Sequence, residues 1–238
     1  FFFAGGALLA LGITLHGKPA PRAGRSPVAD LRSGAAYIRR DRTIVAIMFL
    51  AFLVNLTAFP LTNGLLPVVA KQGFGLGPTG LAMLTATAAA GALGGSLGLA
   101  AFSRAARPDR MMVLAIVGWH LTVIWFGLVS SLGLAFVVLA FYGAMMSVSM
   151  VTMSALLMEI TAAEFRGRVM GVRMLAVYGL PMGLLIGGAL SETVNVKTAA
   201  LALGGLGLAL TLVSMIVWPE LWRGRKTGSG TGAVLTPS

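Results

Sequence analysis

Residues Leu134–Met158 read LAFVVLAFYGAMMSVSMVTMSALLM, 25 residues without one charged side chain. At 1.5 Å of rise per residue, a helix of this length extends about 37 Å, more than the roughly 30 Å of hydrocarbon in a bilayer. Outward from it lie five more apolar runs of spanning length, at about 44–70, 79–102, 111–130, 168–190 and 197–218. Inside lipid every backbone N–H and C=O needs a partner, which a helix supplies within each run. The sequence therefore specifies an all-α integral membrane protein with six transmembrane helices. A mean hydropathy of +0.90 and a charged fraction of 11% exclude a soluble domain, in which about a quarter of residues carry charge.

The cations sort by gap. Lys18, Arg22, Arg25, Arg32, Arg39, Arg40 and Arg42 precede the first run, and Arg104, Arg107 and Arg110 separate the second from the third. Arg166, Arg168 and Arg173 surround the entry to the fifth, and Arg223, Arg225 and Lys226 follow the sixth. Sixteen of the 18 Lys and Arg thus share one side, leaving Lys71 and Lys197 on the other. Basic flanks are retained in the cytoplasm during insertion, so both ends are expected there. The same distribution accounts for the net charge of +11 without nucleic acid, whose binders gather charge on one face; here it meets lipid headgroups instead. With 0 Cys there is no disulfide framework, thiolate metal site or Cys nucleophile.

Four regions follow. The apolar run 1–15 would be only about 22 Å long as a helix and leads into the basic segment, so it reads as the end of a preceding transmembrane helix. Residues 16–43 form a cytoplasmic linker, irregular as far as Pro27. In its second part Val28, Leu31, Ala35, Tyr37 and Ile38 oppose Arg32, Arg39 and Arg40, the pattern of an amphipathic helix at the membrane surface. Residues 44–218 form the six-helix bundle, and 219–238 a disordered cytoplasmic tail. The spans divide evenly into 44–130 and 134–218, three each. Three crossings reverse the side of entry, so the fold is expected to be two inverted three-helix repeats.

Between the fourth and fifth spans stands Glu159-Ile-Thr-Ala-Ala-Glu-Phe-Arg-Gly-Arg-Val-Met-Gly171. Thr161 and Glu164 have capping-box spacing, which predicts a helix from about Ala162. Arg166 and Arg168 then fall in its first turns, where the helix dipole opposes cations. Closing the cytoplasmic end through Glu159 or Glu164 would explain them, as would positive-inside topology. This stretch resembles the junction between the tenth and eleventh helices of the major facilitator superfamily, and within it of bacterial drug and siderophore exporters. Glu159, Thr161, Glu164, Arg166, Gly167, Arg168 and Gly171 match, and Ala162 stands where a proline is frequent. Asp109-Arg110 loosely resembles a second cytoplasmic motif of that family. The resemblance implies one half of a major-facilitator fold in a bacterial inner membrane. It implies a secondary active transporter exporting a small amphipathic molecule by alternating access, coupled to protons or ions. Its partners would be membrane lipids, the small-molecule substrate and a missing amino-terminal half; no cofactor, metal or catalytic residue is called for.

Glycines at four-residue spacing, Gly91 and Gly95 in the second span and Gly183 and Gly187 in the fifth, permit close helix approach. The resemblance places these two helices against the other half, so the ladders are expected to face it. Asn55, Asn63, Tyr142, Met146, Ser149 and Tyr178 fall on faces that would line a central cavity, where Met and aromatic walls suit varied apolar ligands. His120 stands at mid-depth in the third span and is expected to be neutral and hydrogen-bonded. Two other classes remain open: a half-size, self-assembling transporter or scaffold, and a membrane-embedded lipid-modifying enzyme. The seven scattered carboxylates disfavour the latter, which needs clustered acids or histidines.

The charge split predicts a labelling pattern in this cysteine-free chain. Cysteines at Gly75, Ser131 and Asn195 should react with an impermeant thiol reagent outside intact cells, and cysteines at Ser26, Ala106 and Gly228 should not. Reaction of the second set would overturn the orientation.

Overall fold

The computed structural model describes residues 27–102 and 107–223. The expected helix end at 1–15, the linker as far as 26, Arg104 and the tail from 224 lie outside the described residues. A helix α1, Pro27–Arg40, precedes six helices long and apolar enough to cross a membrane. These are α2 (Arg42–Gly73), α3 (Pro78–Phe102), α4 (Pro108–Leu128), α5 (Leu132–Ile160), α6 (Arg166–Thr193) and α7 (Val196–Val217). A single turn, α8 (Glu220–Arg223), follows.

Helix starts are set locally. The Asp41 carboxylate accepts from Thr43 N–H at 2.9 Å and Ile44 N–H at 3.3 Å, opening α2 directly after α1. The Asn195 side chain does the same for Thr198 N–H at 2.8 Å in α7. Each supplies an acceptor to donors that the helix leaves orphaned. At the basic end α8 is pinned by Arg110, whose Nε donates to Trp222 O at 2.9 Å while its guanidinium lies over the Trp222 ring.

Prolines account for the irregular spans. Pro60 and Pro67 lack the N–H that would continue the ladder, and α2 passes into π-helical turns at Leu61–Leu65 and Val69–Gly73. In α6 the segment Leu175–Tyr178 tightens to a 3-10 helix just before Pro181. The remaining four spans run without a break.

Packing follows the expected duplication. Pairing α2 with α5, α3 with α6 and α4 with α7 exchanges the observed contacts: α3 packs along α5 as α6 packs along α2, and α4 on α5 as α7 on α2. The α4–α7 contact maps onto itself. Contact between α6 and α7 breaks the relation, with nothing comparable between α3 and α4 among the described residues. The result is a row α3–α5–α2–α6 backed by α4 and α7.

Residue-level symmetry, invisible in the sequence, now emerges from the glycines. Gly91 and Gly95 lie 13 and 17 residues past Pro78, where α3 begins; Gly179 and Gly183 lie 13 and 17 past Arg166, where α6 begins. A Cβ on Gly91 would strike Ala140 O and one on Gly95 would sit 2.6 Å from Ala144 O, both in α5. One on Gly179 would be 2.7 Å from Phe52 O, and one on Gly183 would strike Leu56 O, both in α2. Gly187 faces Leu203 of α7 and Leu65 of α2. The expectation that Gly91, Gly95, Gly183 and Gly187 face another half is therefore corrected: all four close contacts inside this bundle. Glycines spaced for backbone approach serve whichever neighbour is nearest, and here both neighbours are in the same chain. On α3, by contrast, a Cβ on Gly94 or Gly98 would meet nothing within 4 Å among the described residues.

The third close approach involves His120, fully buried in α4. Its Nδ1 lies 2.9 Å from Ile116 O and its Nε2 2.8 Å from Thr57 Oγ1 in α2. A neutral ring donating from Nδ1 to Ile116 O leaves Nε2 as an acceptor, which shares the single Thr57 hydroxyl proton with Leu53 O, 2.7 Å from Oγ1. A Cβ on Gly207 would overlap this ring, so its absence lets α7 close over the α2–α4 link.

Two measurements on the full-length protein check this packing. Gly91→Ala and Gly183→Ala should destabilise by about 1–3 kcal/mol through overpacking, whereas Gly94→Ala and Gly98→Ala should stabilise by up to about 1 kcal/mol through helix propensity. Detergent-denaturation curves showing one sign at all four would refute the assignment. A double-mutant cycle with Thr57→Val and His120→Ala should give a coupling of about 0.5–2 kcal/mol. Additive losses would mean that the two side chains act independently.

Candidate functional site

The six cavity candidates separate into two groups. Tyr142 is fully buried: its hydroxyl donates to Ala58 O at 3.1 Å and lies 3.2 Å from Thr62 Oγ1. Its ring meets the edge of Trp119 at 5.7 Å, and Phe59 meets Trp119 at 4.9 Å. Tyr142 is thus a core strut from α5 to α2. The Ala58 carbonyl, which also accepts from Leu61 N–H at 3.2 Å, lies within reach of this phenol from α5. Ser149 is also buried, and its hydroxyl donates at 2.8 Å to Met146 O in its own helix. Neither residue lines open space, which corrects the expectation for both. Period and polarity locate a helix face but cannot say which neighbour covers it.

Asn55, Met146 and Tyr178 keep accessible surface. Asn55 Nδ2 donates to Ala51 O at 2.8 Å, and its Cβ stands beside Gly179 of α6. Tyr178 is 69% exposed on the 3-10 segment. Asn55 lies 13 residues past Arg42, Tyr178 12 past Arg166 and Met146 14 before Ile160, so all three sit about 18–21 Å from the basic end, near mid-bundle. Asn63 is exposed further along α2, its Nδ2 donating to Phe59 O at 2.9 Å.

One residue that reads in the sequence as a topological charge belongs to this row. Arg173 is half-buried; its Nη1 donates to Ser154 Oγ of α5 at 2.8 Å, and its Nη2 lies 4.0 Å from Met150 Sδ. The available signal was its position, seven residues past Arg166 and therefore within the span.

The basic end departs from the expected capping box. Ala162–Phe165 form a turn and α6 begins at Arg166. Thr161 instead ends α5, and its buried Oγ1 finds no hydrogen-bond partner among the described residues. Ala162 N–H donates to the Tyr37 hydroxyl at 3.1 Å, and the Tyr37 and Phe165 rings stack at 4.4 Å. Helix α1 therefore sits on the α5–α6 corner, with Gly34 against the Arg168 backbone. Arg166 Nε donates to Thr161 O at 3.2 Å, Arg168 lies over the Phe165 ring at 5.4 Å, and Glu159 and Glu164 are exposed.

At the opposite end a cavity of about 430 Å³ opens between α2 and α6, with Pro60, Gly64 and Leu184 as its walls and Gln72 and Glu192 among its polar groups. None of the six candidates lines it. Burial is uneven across the row. Only 17% of an 18-residue apolar stretch of α3, and the same share in α6, is buried within the described residues, against 61% for α2 and 56% for α4. These two least covered helices are the pair exchanged by the internal symmetry.

No curated protein matches the chain. The sequence profile of the Major Facilitator Superfamily matches it over residues 1–180 and again over 48–235. Members of that family are transporters, and six apolar helices packed as two exchanged triplets fit half of its fold. The chain belongs to the Major Facilitator Superfamily.

Proposed function

We propose that the chain forms one half of a secondary active exporter, which moves a small amphipathic molecule between two six-helix bundles by alternating access. The observation that carries this reading is the exposed, symmetry-related pair α3 and α6, which flanks the accessible residues Asn55, Met146 and Tyr178. Open glycines Gly94 and Gly98 on α3 suit close approach of a second bundle. Exposed Met174, Met182 and Tyr178 on α6 suit a soft, adaptable binding wall. Arg166 and Arg168, with Glu159 and Glu164, stand at the basic end as gate residues; a bacterial inner membrane with that end in the cytoplasm fits the charge split. Coupling to a proton or ion needs a group whose affinity differs between conformations. Among the described residues the spans hold no carboxylate near mid-bundle, and in this reading the other half supplies that group.

The test uses everted vesicles containing the full-length protein. A respiration-driven gradient should accumulate a lipophilic dye or a hydroxamate siderophore, and an ionophore should abolish the uptake. Asn55→Ala and Tyr178→Ala should each lower the initial rate about tenfold at equal abundance, the loss of one well-placed contact of roughly 1.4 kcal/mol. Absence of gradient-dependent movement across a broad solute panel would sink the export reading. Unchanged rates in both variants would move the binding site elsewhere.

A further inference from the structure

We propose that Arg173, held by Ser154, forms a subsite for an oxyanion, the carboxylate or phosphate of a transported organic solute. This rests on the chain being a solute transporter and adds the chemical class of one substrate group.

Depth is the first argument. Arg173 is seven residues past Arg166, about 10 Å into the bundle, and Ser154 is six residues before Ile160, about 9 Å in. Met150, facing Nη2, is ten residues before Ile160 and so about 15 Å in. An arginine near a membrane surface ordinarily extends toward the headgroups. This one reaches sideways to a serine at its own level, with one amino group toward a deeper methionine.

Charge is the second. The arginine–carboxylate pairs Arg42–Glu220 at 3.9 Å and Arg107–Asp109 at 3.7 Å lie at the basic end. Among the described residues Arg173 has only the Ser154 hydroxyl and the Met150 thioether, a weak acceptor. A partly desolvated cation without an acid is costly unless a counter-charge arrives. The guanidinium has five donors in a planar fork, and the forked pairing with carboxylate or phosphate is its strongest interaction.

Surroundings are the third. Met146 and Met150, one turn apart on α5, and exposed Met174 and Tyr178 on α6 give an organic anion's body an apolar, polarisable wall beyond the charge. Arg173 also lies two residues before the 3-10 segment of α6, so a bound anion would bridge α5 and the approach to the irregular part of α6.

The experiment is equilibrium dialysis of radiolabelled benzoate and phenyl phosphate, with uncharged benzamide as control, against the full-length protein in nanodiscs. Discs are made of phosphatidylcholine alone or with one third phosphatidylglycerol. In phosphatidylcholine discs Arg173→Gln should weaken the anions by at least about tenfold and benzamide by less than about twofold, with Arg173→Lys intermediate because it keeps charge but loses the fork. Ser154→Ala should cost about threefold through loss of the hydrogen bond that holds the guanidinium. Should Arg173→Gln fail to fold, the Arg173→Lys and Ser154→Ala arms decide. Equal anion binding to wild type and variants, or no anion binding, overturns the proposal. So does an anion-blind protein that retains phosphatidylglycerol and loses it on Arg173→Gln, since the partner is then a headgroup. Binding at equilibrium needs neither gradient nor direction, so these failures leave the export reading to its own assay.

Discussion

Contact between bare backbones, where Gly91 and Gly95 meet α5 and Gly179 and Gly183 meet α2, is the constraint on which the rest of the bundle depends. Lipid is as apolar as leucine, so helices gain little by hiding side chains from it; they associate by packing and by interhelical hydrogen bonds. Removing Cβ atoms brings carbonyls and α-carbons of neighbouring spans together, and the row α3–α5–α2–α6 is built from two such seams. With the row fixed, α4 and α7 close behind it, and His120 finds Thr57 across a gap that Gly207 leaves open.

The fold was legible because membranes demand it. Six apolar runs of sufficient length leave helices as the answer, and an even split into triplets gives the inverted arrangement that the contacts then show. Covered faces were not legible. Gly91 and Gly94 differ by three positions in one helix and read alike, yet among the described residues one lies against Ala140 and the other faces open space. Tyr142 and Tyr178 are both polar aromatics in apolar spans, one fully buried and the other 69% exposed. Within lipid the usual contrast of apolar inside and polar outside is absent, so a helix carries no label for its packed side. Thr161 and Glu164 failed for another reason: a short spacing motif cannot show that its threonine already ends the preceding helix.

Arg173 illustrates the converse error. Counting cations by gap assigns orientation well, but the count is blind to depth, and a cation two turns inside a span enters the same tally as one in a loop. Side-chain direction separates the two. Arg166 turns back to Thr161 O at the end of α5, whereas Arg173 crosses to Ser154 within the bundle. Polar groups in this protein mostly spend themselves on their own helix, as Ser149, Asn55 and Thr152 do, so the few that cross between spans stand out.

The irregular turns give the bundle uneven stiffness. All the non-α backbone within the spans is in α2 and α6, while their symmetry mates α5 and α3 are regular. A rod with π or 3-10 turns has fewer well-aligned hydrogen bonds resisting a bend, so compliance concentrates there. The duplicated architecture is thus symmetric in shape and asymmetric in elasticity. One seam, between α3 and α5, behaves as a beam, and the other, between α2 and α6, as a spring with the 430 Å³ cavity at its free end.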